Sequence, residues 1–406
     1  MNMISIHNDG DKVPLEIEKE YSIRYLNLPV TKEDKLSLDF VGIIIKEENP
    51  LIVFPKHFVT TYNDLQKDGQ LLIQVLRKIQ SKKGFGETLN DKNFPLNAYL
   101  YICDFYKKHG LYMEQERIIK PGYKGKIHWK HTIAKSHKIL NNSNIIFMPF
   151  MLEQKIDQSV LITTCMEEVL ANGYKIFGKY FNIGVKYSVN RNLFGDYQIK
   201  QLARQLKLLR NKHFKDSTLK LIDALIRYFE WASSTGNEVH FLTTNFEIVW
   251  EDMIKHYLDN RLSDIDTSQI PHKMITNLSS STRYHFNHKV VESIKQDTPS
   301  NRSFSVEYDH IAYDAPNNEL VLMDAKYYQQ ITGLNYKQFS YAHLLLNKIN
   351  EYTGETTEKT HLINGLILPT EQEYYSKVHI NRESIDGVLI TEHYLNVRAV
   401  MSEYVS

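Results

Sequence analysis

Two β-prone runs, Phe304 to Asp314 and Glu319 to Tyr328, flank Pro316-Asn317-Asn318, a pattern that predicts a β-hairpin. A strand's period of two places Asp324 and Lys326 on one face of the second run, while Val321, Met323 and Ala325 occupy the other. Asp309 lies in the first run, where pairing across the hairpin brings it beside Asp324.

Elsewhere the apolar spacing changes period. Residues 21–28, 36–46 and 51–54 are rich in Tyr, Val and Ile without helical spacing, and predict short strands. From Tyr62 onward Leu65, Leu72, Val75, Leu76 and Ile79 follow helical spacing, and a second helix is expected from Pro95 to a stop at Gly110. Further helices are predicted over 152–173, 197–211, 216–234 and 246–258, and another over 334–346. Phe246, Val249, Trp250, Met253 and Tyr257 form the apolar stripe of the 246–258 helix, capped by Thr243, Thr244 or Asn245, with Glu247 and Glu251 four apart on one face. The stretch 259–300 reads as a loop-rich insertion, and strands are expected at 361–368 and 388–391. These elements predict an α/β (α+β) chain: a strand-rich N-terminal domain with helices over 1–145, a helical linker region over 146–235, and a C-terminal domain over 236–406.

Composition narrows the class. The 406 residues can bury a sizeable core, and 49 Lys plus Arg against 48 Asp plus Glu exclude a polycation, so nucleic-acid contacts must come from local patches. No apolar run approaches bilayer-spanning length, the N-terminus lacks the pattern of a signal peptide, and two cysteines suit a reducing compartment, so a cytoplasmic protein is expected.

Several groups could carry chemistry. Oxygen ligands from Asp309, Asp324 and the Ala325 carbonyl suit Mg2+, with Mn2+ as a substitute, and Lys326 can assist at a phosphate or accept a proton. A strand-end salt bridge is the plainer reading of Asp324 and Lys326. Lys337, Gln338 and Tyr341 fall on one side of a helix that follows, where they could hold a phosphate. Arg204, Lys207 and Arg210 belong to a basic run that either tracks a DNA backbone or forms a solvated helix face. Lys124, Lys126 and Lys130 surround Tyr123 and Trp129 in a glycine-punctuated stretch that suits phosphate or a protein partner, or serves as a plain connector. His128 and His131 lack the neighbours of a metal site.

Asp309 followed by Asp324-Ala325-Lys326 resembles the PD-(D/E)xK nuclease signature, with Tyr308 where proline often stands. Together with residues 125–133, the Phe-Glu-Ile-Val-Trp-Glu segment 246–251 and Lys337-Gln338 with Tyr341, it is similar to LlaJI-type, McrC-related restriction endonuclease subunits. That resemblance implies a restriction-endonuclease-like core over 236–406, cleavage of double-stranded DNA in antiviral defence, and a metal-site glutamate from Glu247 or Glu251. It also implies a separate McrB-like AAA+ GTPase or ATPase, docked through the N-terminal region and approached by Lys124, Lys126 and Lys130; a modification methyltransferase belongs to some such systems. The sequence has no Gly-x-x-x-x-Gly-Lys-Ser/Thr phosphate loop of its own, so any motor is expected to be borrowed. A stand-alone site-specific endonuclease and a non-catalytic adaptor with a nuclease fold remain the alternatives.

Overall fold

The computed structural model describes residues 4–23, 26–46, 49–80, 94–141, 144–189, 196–235, 238–277, 283–294, 304–347 and 360–406. The architecture is mixed α/β, and the chain forms two compact units: residues 1–93 together with 237–406, and residues 94–236.

The first segment contributes β1 (Ser5–Asn8), β2 (Lys12–Pro14), α1 (Glu16–Tyr21), β3 (Lys35–Ser37), β4 (Val41–Lys46), β5 (Asn49–Phe54) and α2 (Leu65–Gln80). Residues 21–23 and 26–28, the described part of that stretch, do not form the expected strand. Tyr21 closes α1 and Ser22 turns left-handed, so Tyr21 and Ile23 reach a core with Leu36, Leu38, Phe40 and Ile44 by local turns instead of a ladder.

The second unit holds α3 (Leu96–His109), β6 (Glu114–Gly122), β7 (Lys126–Ile127), α4 (Trp129–Lys135), β8 (His137–Asn141), β9 (Asn144–Met148), β10 (Phe150–Gln158), α5 (Leu161–Gly173), α6 (Lys179–Phe181), α7 (Asp196–Arg210) and α8 (Asp216–Thr235). The helix expected from residue 152 begins only at Leu161. Residues 150–158 are instead the centre of a sheet ordered β6-β10-β7, with β10 paired antiparallel to the whole of β6. That pairing satisfies nine residues' worth of backbone that a helix would otherwise close locally. The stretch 120–130, expected as a loop, is largely the end of β6, β7 and the start of α4.

The last segment begins with β11 (Val239–Thr243) and α9 (Phe246–Arg261), then β12 (Leu262–Asp266), β13 (Lys273–Thr276) and β14 (Asn287–Ser293). These three strands replace much of the loop-rich insertion expected over 259–300; its Ser279–Thr282 and Asp297–Ser300 stretches lie outside the described residues. Next come β15 (Ser305–Asp314), β16 (Glu319–Ala325), α10 (Tyr336–Asn347), β17 (His361–Thr370), β18 (Tyr375–Arg382), α11 (Glu383–Asp386), β19 (Val388–Asn396) and α12 (Val397–Val405). The hairpin is formed as expected, with one 3-10 turn at Ala315–Asn317.

The contiguous division at 145 and 235 differs from the way the chain packs. A four-stranded sheet ordered β1-β5-β4-β11 joins the first segment to the last, because β11 pairs antiparallel with β4. Gly42 makes this contact possible: a Cβ there would lie 2.4 Å from the Leu242 Cα. The second sheet is six-stranded, β14-β15-β16-β17-β19-β18, with parallel pairing at β16, β17 and β19. Its core gathers Tyr308, Ile311, Leu320, Leu322, Leu366 and Ile390 beneath Tyr341, Ala342 and Leu345 of α10. Each such aliphatic side chain contributes roughly 1.5–3 kcal/mol when fully buried, so β16 is held from both edges and one face before any polar group is counted. No helix among the described residues is long and apolar enough to cross a membrane.

Candidate active site

Strands β15 and β16 pair as far as His310 with Met323, and Asp309 and Asp324 follow one step beyond. The Asp309 carboxylate accepts a hydrogen bond from the Ala325 backbone N–H at 3.1 Å, which fixes it beside Asp324. Asp324 is almost wholly buried; its Oδ2 is ion-paired with the Lys326 ammonium, and no donor reaches its Oδ1. Burial, then the charge of Asp324, pushes the Asp309 carboxyl up to about 6, against the opposing pull of Lys326 and Lys337. Two carboxylates in one dry place cannot both remain ionised without a compensating cation. Lysine supplies one such charge.

Helix α9 settles the geometry of its two glutamates. Glu251 lies within electrostatic reach of Asp309 and Lys326, and burial followed by Asp309 raises its pKa. Glu247, one turn earlier, acts instead on Asp9 and Tyr327. Because residues four apart on a helix are separated by about 6 Å, one carboxylate meets the Asp309 pair and the other meets the end of β1. Of the two glutamates, Glu251 is the one that falls in the field of Asp309.

Helix α10 carries Lys337, Gln338 and Tyr341. Lys337 does reach the cluster: burial works against its charge, yet Asp324, Tyr341 and Asp309 raise its pKa overall. Gln338 is 0% exposed and donates to Asn364 Oδ1 at 2.5 Å and to the Gly365 carbonyl at 3.3 Å. Tyr341 packs edge-on against Tyr308, ring centroids 5.0 Å apart. Both contacts tie α10 to the sheet, and while the Gln338 amide is spent on Asn364 and Gly365, the Tyr341 hydroxyl bonds Lys337 beside the carboxylates.

The other expected patches belong to the second unit. On α7, Lys207 pairs with Glu230 at 2.5 Å and Arg210 with Asp223 at 2.6 Å, leaving Arg204 exposed. Both ion pairs join α7 to α8 at the surface. Lys126 pairs with Glu153 at 2.8 Å, while Lys124 and Lys130 are exposed. His128 accepts from the His131 N–H and caps α4, a structural use of that pair.

Three groups escaped the sequence. Lys289 on β14 pairs with Glu251 at 3.3 Å. His310 bonds His288 at 2.7 Å, and His288 bonds Asp259 at 3.0 Å; burial pushes His310 down to about 3, so it is neutral and braces the strand beside Asp309. Tyr327 accepts from the Lys56 N–H at 2.8 Å and contacts Asp9, which burial pushes up to about 6. None has a local sequence signal, since each depends on a partner at least 22 positions away.

Among the described residues no group of three His, Cys, Asp or Glu side chains is placed to hold a metal ion, so Glu251 does not complete a ligand set with Asp309 and Asp324. The two aspartates and the Ala325 carbonyl are an oxygen donor set of the kind that suits a small hard cation that keeps its waters. The residues present thus fit Mg2+, and the donor-free Asp324 oxygen is the observation that supports the fit.

No curated protein matches the chain. Among solved structures it is similar to a chain of the refined half-complex from a tetradecameric assembly of Thermococcus gammatolerans McrB AAA+ hexamers with bound McrC, at 12% identity and a TM-score of 0.37, over 99% of this chain and 98% of that one. The family model described as LlaJI restriction endonuclease matches residues 40–338, most of the sequence and both halves of the first unit. The chain therefore belongs to the LlaJI restriction endonuclease family.

Proposed function

We propose that the chain is the DNA-cleaving subunit of a McrBC-like restriction system, a Mg2+-dependent endodeoxyribonuclease that works with an AAA+ nucleotide hydrolase. The observation that carries the proposal is the junction of Asp309, Asp324 and Lys326 at the end of one hairpin, with Glu251 brought in from α9. Asp309, Asp324 and the Ala325 carbonyl would hold the cation. When bound, Mg2+ supplies an acidified water and offsets charge on the phosphate. Lys326, which is ion-paired with Asp324, would be placed to hold the scissile phosphate or accept the water's proton. Lys337 adds a second cation on the α10 side.

The motor partner rests on the sequence resemblance and on one structural feature. Strands β8 and β9 form a two-stranded hairpin whose Ile139, Leu140, Ile145 and Ile146 are all exposed, Leu140 by 78%. Exposed apolar residues concentrated on one hairpin mark an interaction surface, and exposed Lys124 and Lys130 belong to the same compact unit. We assign partner docking to this unit.

The test is nicking of supercoiled DNA by the purified chain in Mg2+, alone and with a McrB-like AAA+ hydrolase. Cleavage that needs the partner is the expected result. Partner-independent site-specific cleavage would favour the stand-alone reading, and no cleavage under either condition would favour the adaptor.

A further inference from the structure

Lys289 stands where β14 is irregular. Its neighbours pair in register, His288 with His310 and Val290 with Tyr308, so Lys289 is opposite Asp309, and these two do not pair. Its φ is +54°, in the left-handed region that costs an L-residue other than glycine roughly 1–2 kcal/mol. Backbone held in that region inside a strand needs surrounding structure to maintain it, and such positions gather at functional sites. Its ammonium lies 3.3 Å from Glu251, and the side chain is 57% exposed, with Glu251 at 27%.

An exposed lysine on a half-buried carboxylate beside two more carboxylates has two possible counter-charges. We propose that Lys289 and the metal ion compete for Glu251, and that metal binding frees the Lys289 ammonium to contact a phosphate of the DNA strand next to the cut. This rests on the nuclease reading above and adds a DNA-binding residue to it. While no cation is bound, Lys289 offsets the charge of Glu251 at the mouth of the site. Once a cation draws on Glu251, the same ammonium, already mostly in solvent, has no carboxylate to satisfy and faces the strand that the site must hold. The plainer alternative is a surface ion pair contributing about 0–1 kcal/mol and no function.

Two variants of the full chain separate these. Lys289→Gly removes the ammonium while accepting the positive φ, and Lys289→Arg keeps the charge. Metal affinity is read by calorimetry with Mg2+ on DNA-free protein, and DNA affinity by its salt dependence with Ca2+ in place of Mg2+ to prevent turnover. For Lys289→Gly the expected results are Mg2+ binding tighter by about twofold to fivefold, the worth of one partly exposed ion pair, and a log–log salt slope smaller by about 0.9, the loss of one phosphate contact. Lys289→Arg should resemble the parent in both. Unchanged metal affinity or an unchanged salt slope in Lys289→Gly overturns the proposal. Cleavage by the parent chain and its loss in Asp324→Ala, measured alongside, show whether the nuclease reading stands; if the parent neither binds Mg2+ nor cuts DNA, both fall together.

Discussion

At the residue scale, burial decides which carboxylate does what. Glu251 and Glu247 are indistinguishable in the sequence, yet only Glu251 lies in the field of Asp309. Glu251→Gln should raise the Mg2+ concentration for half-maximal cleavage about tenfold, on the order of 1.4 kcal/mol for the loss of a neighbouring negative charge, while Glu247→Gln should leave it within about twofold. A Mg2+ titration with the order reversed would show that α9 is rotated relative to this description. Asp309 gives a pH signature. Its folded-state pKa of about 6 lies above the ordinary 3.8, so its contribution to stability is fully present below about pH 4 and is lost as pH rises through about 6. Metal-free protein should therefore lose stability across that window from this group, and Asp309→Asn should flatten the profile. Asp9 titrates in the same range, so the difference between parent and variant, followed by thermal denaturation in EDTA, is the quantity to measure.

At the element scale, what was legible in the sequence was what is local. The hairpin around Pro316-Asn317-Asn318 shows itself by alternation and turn chemistry, and α2, α3, α8 and α9 by apolar spacing within their own turns. Strand β10 was hidden because Leu152, Ile156 and the polar residues between them satisfy helical and strand periods almost equally over nine residues; its pairing with β6, about 30 positions earlier, decides the outcome. The same limit applies inside the site. Spacing on α10 correctly placed Lys337 near the carboxylates, but could not reveal that Gln338 turns inward onto Asn364. Gln338→Ala should accordingly cost about 1–3 kcal/mol of stability by leaving Asn364 unpaired, with DNA affinity little changed, whereas Lys337→Ala should weaken DNA binding at nearly unchanged stability. Urea unfolding and DNA binding of the two variants, measured in parallel, check this; equal loss of DNA affinity in both would return Gln338 to the phosphate.

At the scale of the whole molecule, the N-terminal residues are part of the unit that carries the carboxylates. Strand β1 ends at Asn8, and Asp9 beyond it meets Tyr327, the residue after Lys326. Sequence alone could not show this, because β4 and β11, which close the sheet, are separated by nearly 200 residues and by the whole of the second unit. Deleting residues 1–145 would consequently break the nuclease unit, and loss of motor stimulation after that deletion would say nothing about docking. Replacing the exposed apolar residues of the β8–β9 hairpin, as in Leu140→Ser with Ile145→Ser, is the sharper change. It should reduce stimulation of the partner's nucleotide hydrolysis at least tenfold while the chain keeps its melting temperature, since exposed side chains contribute little to folding. Stimulation at the parent level would move docking elsewhere.

Cleavage of DNA by the chain mixed with a McrB-like AAA+ hydrolase tests the carboxylate pair and lysine at the end of β16 most directly. The parent assembly should cut in Mg2+ and stop when EDTA is added. Asp324→Ala and Lys326→Ala should each lower the rate by at least about a hundredfold, as expected for groups that act on the reacting phosphate, with assembly and thermal stability retained. Cleavage at the parent rate by either folded variant would contradict the site.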